Sequence, residues 1–138
     1  MPFKNKYMTR VEWADSDPLG QTFYPHYFRW FDIGTHSLLS AAGKPYNQLI
    51  IDWNIAGLPL VDAQASFRSR CRWTDQIEVE SYISAFGKKS FTVSHNIMNG
   101  TDIAVEGKEV RIWGLFDPSD SSKLKAGLIP EDFKKIFS

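Results

Sequence analysis

One helix of this chain has almost no polar surface. Tyr24, Phe28, Phe31, Thr35, Leu38 and Ala42 recur at alternating steps of four and three, the spacing that lines residues along one face of a 3.6-residue helix. Tyr27, Trp30, Gly34 and Ala41 widen that face until only Arg29, Asp32, His36 and Ser40 are left as a polar strip. Such a helix has to be buried on most sides, so the rest of the chain must supply the cover. Pro25 marks its start, because the N–H that proline lacks is unpaired in a first turn anyway. Gly43, with Pro45 beyond it, marks the end. Thr22 and Tyr24 are both candidate caps.

Outside that helix the period is mostly two. Tyr7, Thr9, Val11 and Trp13 alternate with Met8, Arg10, Glu12 and Ala14 in a first strand that runs into Asp15. Tyr46 to Trp53 reads as a short helix and Asn54 to Pro59 as a turn. Val61 to Trp73 reads as one long strand with a wet face, followed by a hairpin turn at Thr74-Asp75-Gln76. Ile77 to Ala85 and Phe91 to Ile97 alternate on either side of Gly87, and Asn99-Gly100 is a strong hairpin signal. The final long strand, Ile103 to about Phe116, loses its apolar phase between Val105 and Val110, which predicts a bulge near Gly107. Acidic Glu131 and Asp132 after Pro130, then Lys134 and Lys135, give the charge order of a C-terminal helix. The expected architecture is α+β, a curved antiparallel five-stranded sheet wrapped around one long helix, with a short C-terminal helix. Residues 1–138 are expected to form a single domain. One sheet leaves strand edges open, so pairing with a second copy is expected.

Composition removes several classes of function. Sixteen basic residues balance sixteen acidic ones, so nothing supports nucleic-acid binding. Cys71 is the only cysteine, which rules out an intramolecular disulfide and any thiol cluster, and fits a cytoplasmic setting. No window approaches the roughly 20 apolar residues of a membrane span, so no membrane association is expected. The histidines lack metal-ligand spacing, and Asp15 with Asp17 is too little for a metal site; no metal is expected.

The stretch Asp15-Ser16-Asp17-Pro18-Leu19-Gly20, continued by Tyr24-Pro25-His26-Tyr27 and Arg29-Trp30, resembles the 4-hydroxybenzoyl-CoA thioesterase family of hot-dog proteins. Ala65-Ser66-Phe67 and Lys88-Lys89-Ser90-Phe91 extend the likeness over nearly the whole chain. The resemblance implies hydrolysis of an aromatic or short-chain acyl-CoA to free acid and coenzyme A. Asp17 matches the catalytic carboxylate, and Tyr24 matches the backbone N–H that polarises the thioester carbonyl. Lys88 and Lys89, with the adjoining Ser90, match the contacts to the coenzyme A phosphates, and Lys123 or Lys125 is a further candidate. The resemblance also implies a homodimer or homotetramer with active sites at the subunit interface. It implies no cofactor, coenzyme A being part of the substrate.

The residues themselves fit such chemistry. A thioester is an activated acyl group, so Asp17 can attack its carbonyl or act as general base on a water; sequence leaves both routes open. Either way the carbonyl oxygen gains negative charge, and a helix N-terminus offers N–H donors to it. Asp15 is expected to fix the turn by accepting backbone N–H bonds rather than to react. His26 can orient water or substrate, although a structural, half-buried histidine is the simpler expectation. His95, in the apolar phase of its strand, is expected to be a hydrogen-bonded core residue. An acyl-carrier-protein thioesterase of the same fold and a non-catalytic acyl-CoA-binding module are the alternatives.

Overall fold

The computed structural model describes Met1–Ser138. In chain order it contains β1 (Lys4–Arg10), a 3-10 turn (Trp13–Asp15), α1 (Pro25–Ala41), α2 (Tyr46–Asp52), β2 (Leu60–Phe67), β3 (Gln76–Phe86), β4 (Ser90–Asn99), β5 (Asp102–Ile112), β6 (Gly114–Asp117), β7 (Asp120–Ala126) and α3 (Glu131–Phe137). The first five strands form one antiparallel sheet in the order β1-β3-β4-β5-β2, and β6 with β7 makes a separate hairpin. The long helix α1, the covering sheet and the short C-terminal helix are those the sequence predicts.

The helix lies along the sheet, and each pleat feeds it apolar side chains. Near its N-terminus, Tyr27, Trp30 and Phe31 pack with Val11, Cys71, Ile77, Val79, Ile97 and Val105. Near its C-terminus, Leu38 and Leu39 join Leu49, Ile83, Phe91, Val93, Trp113, Phe133 and Phe137. Gly107, opposite His95 and Ala65 in the register, leaves room for the Phe31 ring, which a Cβ there would overlap.

Four local readings differ from the sequence expectation. The strand after α2 ends at Phe67 rather than Trp73. Arg68 and Ser69 both donate to the Ala104 carbonyl, and the chain then crosses the end of the sheet, where Cys71 is buried beneath Tyr27. Thr74, at φ +77°, turns the chain into β3, but no hairpin forms there. β3 pairs with β1 and β4, while β2 lies on the far edge against β5. The bulge is also elsewhere: register is unbroken at Gly107 and shifts at Ile97/Met98 and Leu60/Asp62. The lost apolar phase of β5 has another cause, because Gly107, Glu109 and Arg111 occupy its helix-facing positions. Finally, the polar stretch from Asp117 to Ser122 closes the β6–β7 hairpin, and the last long strand stops at Ile112.

No helix is long and apolar enough to cross a membrane.

Candidate active site at the opening of α1

The Asp17 turn is built by its own side chain. Asp17 Oδ1 accepts the N–H groups of Leu19 at 2.9 Å and Gln21 at 3.1 Å, while the Gly20 N–H returns to the Asp17 carbonyl at 2.9 Å. Gly20 takes φ +73°, a left-handed conformation that glycine adopts without penalty. The turn is then clamped to the crossing segment: Thr22 donates from both N–H and Oγ1 to the Cys71 carbonyl, and the Trp73 N–H donates to the Gly20 carbonyl. One carboxylate oxygen therefore fixes the loop. The other, Oδ2, receives no donor from the chain.

Tyr24 is the N-cap of α1, with Pro25 in the first helical position, which settles the choice between Thr22 and Tyr24. No side chain caps this helix, and no backbone carbonyl accepts the Tyr24 N–H. The positive end of the helix dipole and an open donor thus stand a few residues from Asp17.

Asp15 is the buried acid of the pair. Its Oδ2 accepts the Glu12 N–H at 2.9 Å and its backbone carbonyl accepts the Phe23 N–H at 2.8 Å, a role in fixing the turn as expected. Its Oδ1 faces His26 Nδ1 at 3.0 Å and Arg29 at 3.8 Å. The His26 contact is electrostatic: the oxygen lies off the direction of a ring N–H bond, so the buried Nδ1 has no directed partner.

Lys88, Lys89, Ser90 and Lys125 lie at the other end of the chain's sheet. Gly87 and Ser90 close the β3–β4 turn around the two lysines, whose carbonyls accept the N–H groups of Ile129 and Trp113 at 2.9 Å each. Lys125 stands opposite Leu115 in the hairpin that leads to this segment. Lys123, the other candidate, lies 3.9 Å from Asp120. Lys88 and Lys89 thus share one turn, Lys125 lies on the hairpin that leads to it, and β3 keeps that turn away from Asp17. The 11-residue strand β3 separates the two groups, about 35 Å of extended chain.

A second polar cluster, which sequence reasoning found only in part, is buried between the two apolar clusters. His95 Nδ1 is 2.7 Å from Ser81 Oγ, and Nε2 is 2.9 Å from Glu109 Oε1, which also accepts from the Thr35 hydroxyl. Arg111 donates to Glu109 Oε2 and Asp32 Oδ1, at 2.8 Å each, and to the Leu58 carbonyl at 3.2 Å. The Phe31 ring stacks on His95 at 5.0 Å. With Glu109 able only to accept, Nε2 carries the imidazole proton and the Ser81 hydroxyl donates to Nδ1. Burial pushes the Glu109 carboxyl up, but the His95 hydrogen bond, the Arg111 charge and the Thr35 hydroxyl outweigh it and bring it to about 2. His95 is the hydrogen-bonded core histidine expected from its strand phase. The sequence signal for its partners is the polar run at alternate positions of β5, which by period alone predicts a bulge.

A depression of about 490 Å³ lies on the sheet face away from α1 and is lined by polar residues including Gln64, Tyr82, Asn96 and Lys108. It touches none of Asp17, Tyr24 or the three lysines, and it is wide open. The chemistry at the opening of α1 is the stronger guide to the site.

Comparison with known proteins gives the family. The family model of the thioesterase-like superfamily matches residues 11–136. The chain is 27% identical, over 94% of each sequence, to the 4-hydroxybenzoyl-CoA thioesterase of Pseudomonas sp. (strain CBS-3). A crystal structure of a D17N mutant of 4-hydroxybenzoyl-CoA thioesterase complexed with 4-hydroxybenzoyl-CoA superposes with a TM-score of 0.88. It is 26% identical and the match covers 99% of both chains. A gentisyl-coenzyme A thioesterase is also similar, with a TM-score of 0.80, 28% identity and coverage of 96% of this chain and 98% of that one. The wrapped helix is that of the hot-dog fold, and with a family match over nearly its whole length the chain belongs to the thioesterase-like superfamily of thioester hydrolases.

Proposed function

We propose that the protein hydrolyses an aromatic or short-chain acyl-CoA thioester to the free acid and coenzyme A. The observation that carries this reading is the division of the Asp17 carboxylate into one oxygen held by two N–H groups and one left open, beside the unused Tyr24 N–H. A carboxylate so held is pre-aimed at a reacting carbon, and the N–H meets the charge that develops on the carbonyl oxygen, an interaction worth about 3 kcal/mol in other acyl-transfer sites. The relatives whose names specify aromatic acyl-CoA substrates support the substrate class.

Lys88, Lys89 and Lys125 are assigned to the coenzyme A phosphates, with Ser90 beside them, and His26 to the water or acyl end. Because the lysines and Asp17 occupy opposite ends of one chain, a complete site needs two copies. Edge strand β2 is open, with Leu60, Val61 and Phe67 exposed. Antiparallel pairing of β2 with its twin reverses one copy end for end, and so brings the lysine end of one protomer to the α1 opening of the other.

The test is thiol release from benzoyl-, hydroxybenzoyl-, phenylacetyl- and butyryl-CoA by the wild-type protein and by Asp17→Asn. Turnover of at least one substrate, lost by orders of magnitude in Asp17→Asn while the substrate still binds, is expected. Equal turnover by both proteins places the chemistry elsewhere.

A further inference from the structure

We propose that His26 is a second catalytic residue, the base for the hydrolytic water, and that Asp15 is its positioning residue. The inference rests on the thioesterase reading above and divides the labour that reading leaves open. Asp15 and His26 form a carboxylate–imidazole pair at 3.0 Å, and both belong to the site. Ser16, between the two aspartates, is extended at φ −104° and ψ 152°, so Asp15 and Asp17 lie on the same side of the chain, about 7 Å apart. His26 follows the Tyr24 N–H by two residues in the first turn of α1.

Each end of the pair is prepared for the task. Asp15 is almost wholly buried and cannot swing away, since Glu12 N–H holds its Oδ2 and Phe23 N–H holds its main chain. The groups that face its Oδ1 are His26 and, more distantly, Arg29. In the tautomer that a facing carboxylate favours, with the ring proton on Nδ1, Nε2 keeps its lone pair. Nδ1 is shielded from solvent while about a quarter of the side chain is exposed, so the open edge of the ring is the Nε2 edge. The missing directed bond at Nδ1 is the slack that a tightening reactive complex takes up, as catalytic hydrogen bonds commonly do.

Asp17 Oδ2 attacks the thioester carbonyl, the carbon–sulfur bond breaks, and the electron pair leaves with the coenzyme A thiolate. Water then attacks the acyl carbon of the mixed anhydride. One of its protons passes to His26 Nε2, and the anhydride carbon–oxygen pair returns to Asp17 as carboxylate. The imidazolium gives that proton to the thiolate, so the products are acid and thiol and the enzyme is regenerated.

The experiment compares wild type, His26→Asn, Asp15→Asn and the double variant with the best acyl-CoA of the panel, by steady-state and rapid-mixing thiol release across pH. For His26→Asn the expected result is a fall in kcat of about 100-fold or more with KM nearly unchanged. The acid limb of the wild-type kcat profile should disappear. A first-turnover burst of thiol should appear as acyl-enzyme accumulates, and added imidazole should restore part of the rate. Asp15→Asn should lose kcat too, with the double variant no worse than His26→Asn alone. An unchanged kcat and pH profile in His26→Asn, or a change in KM only, overturns the proposal even though Asp17→Asn is dead. Wild-type protein inert towards every thioester overturns the thioesterase reading and this proposal with it.

Discussion

A carboxylate with almost no solvent contact has to be held by its neighbours, and Glu109 is held by Thr35, His95 and Arg111. Its folded-state value, near 2, lies below the ordinary 4.5. A depressed carboxylate contributes stability that is fully present above the unfolded value and is lost as pH falls through the folded one. The window is therefore about pH 5 down to about pH 2, and the contribution is on the order of 3 kcal/mol. Urea midpoints measured across that range should fall for the wild type. In Glu109→Gln this component should be absent, from a start already destabilised by about 3 kcal/mol because Arg111 loses its buried counter-charge and keeps only the exposed Asp32. A parallel decline in the two proteins would remove Glu109 from the account. At this scale the sequence was readable where a residue acts on its own neighbourhood: the turn-making Asp15 and the Asp17 turn follow from residues within a few positions. Glu109 was invisible as the partner of His95 because the two are 14 positions apart on different strands.

Helix α1 was legible throughout because burial on most sides leaves a strong period, and strands β3 and β4 because one wet face leaves an alternating one. β5 hides its direction for the opposite reason. Its helix-facing positions hold the buried ion pair, so polarity no longer reported direction. The alternation from Val61 to Trp73 was real, but beyond Phe67 it belongs to a crossing segment, and a strand pattern says nothing of which neighbour a strand pairs with. The seat of α1 also decides the sign of one substitution. In an exposed helix interior, Gly→Ala gains about 1 kcal/mol. At Gly34 the new Cβ would stand 2.7 Å from Ser81 Oγ, 2.9 Å from Val79 Cγ1 and 3.2 Å from His95 Nδ1. Overpacking of that kind costs about 1–3 kcal/mol, and the strands cannot give way as a flexible side chain tip would. Gly34→Ala is therefore expected to lower the thermal midpoint; a midpoint that rises would mean that the helix moves freely off the sheet.

At the scale of the whole molecule, the proposed function has the two ends of one chain serve one reaction. The resemblance supplied both groups of residues, but no period or spacing in the sequence says that they lie a full strand apart. That separation follows from β3 running from the Asp17 end to the Lys88 turn. The shared-site reading predicts complementation: Asp17→Asn protein and a Lys88→Ala/Lys89→Ala protein, each poorly active alone, should regain thiol release after unfolding together and refolding, because mixed pairs contain one intact site. No recovery in a mixture shown to contain hetero-oligomers would place the whole site within one copy.

The open edge of β2 has one more consequence. If the substrate's phosphates rest on one copy while its thioester lies against the other, each bound acyl-CoA adds its own binding free energy to the contact between copies. Substrate is then a fastener as well as a reactant. The assembly is tightest when the cell holds acyl-CoA to be cleaved, and it loosens as the product departs.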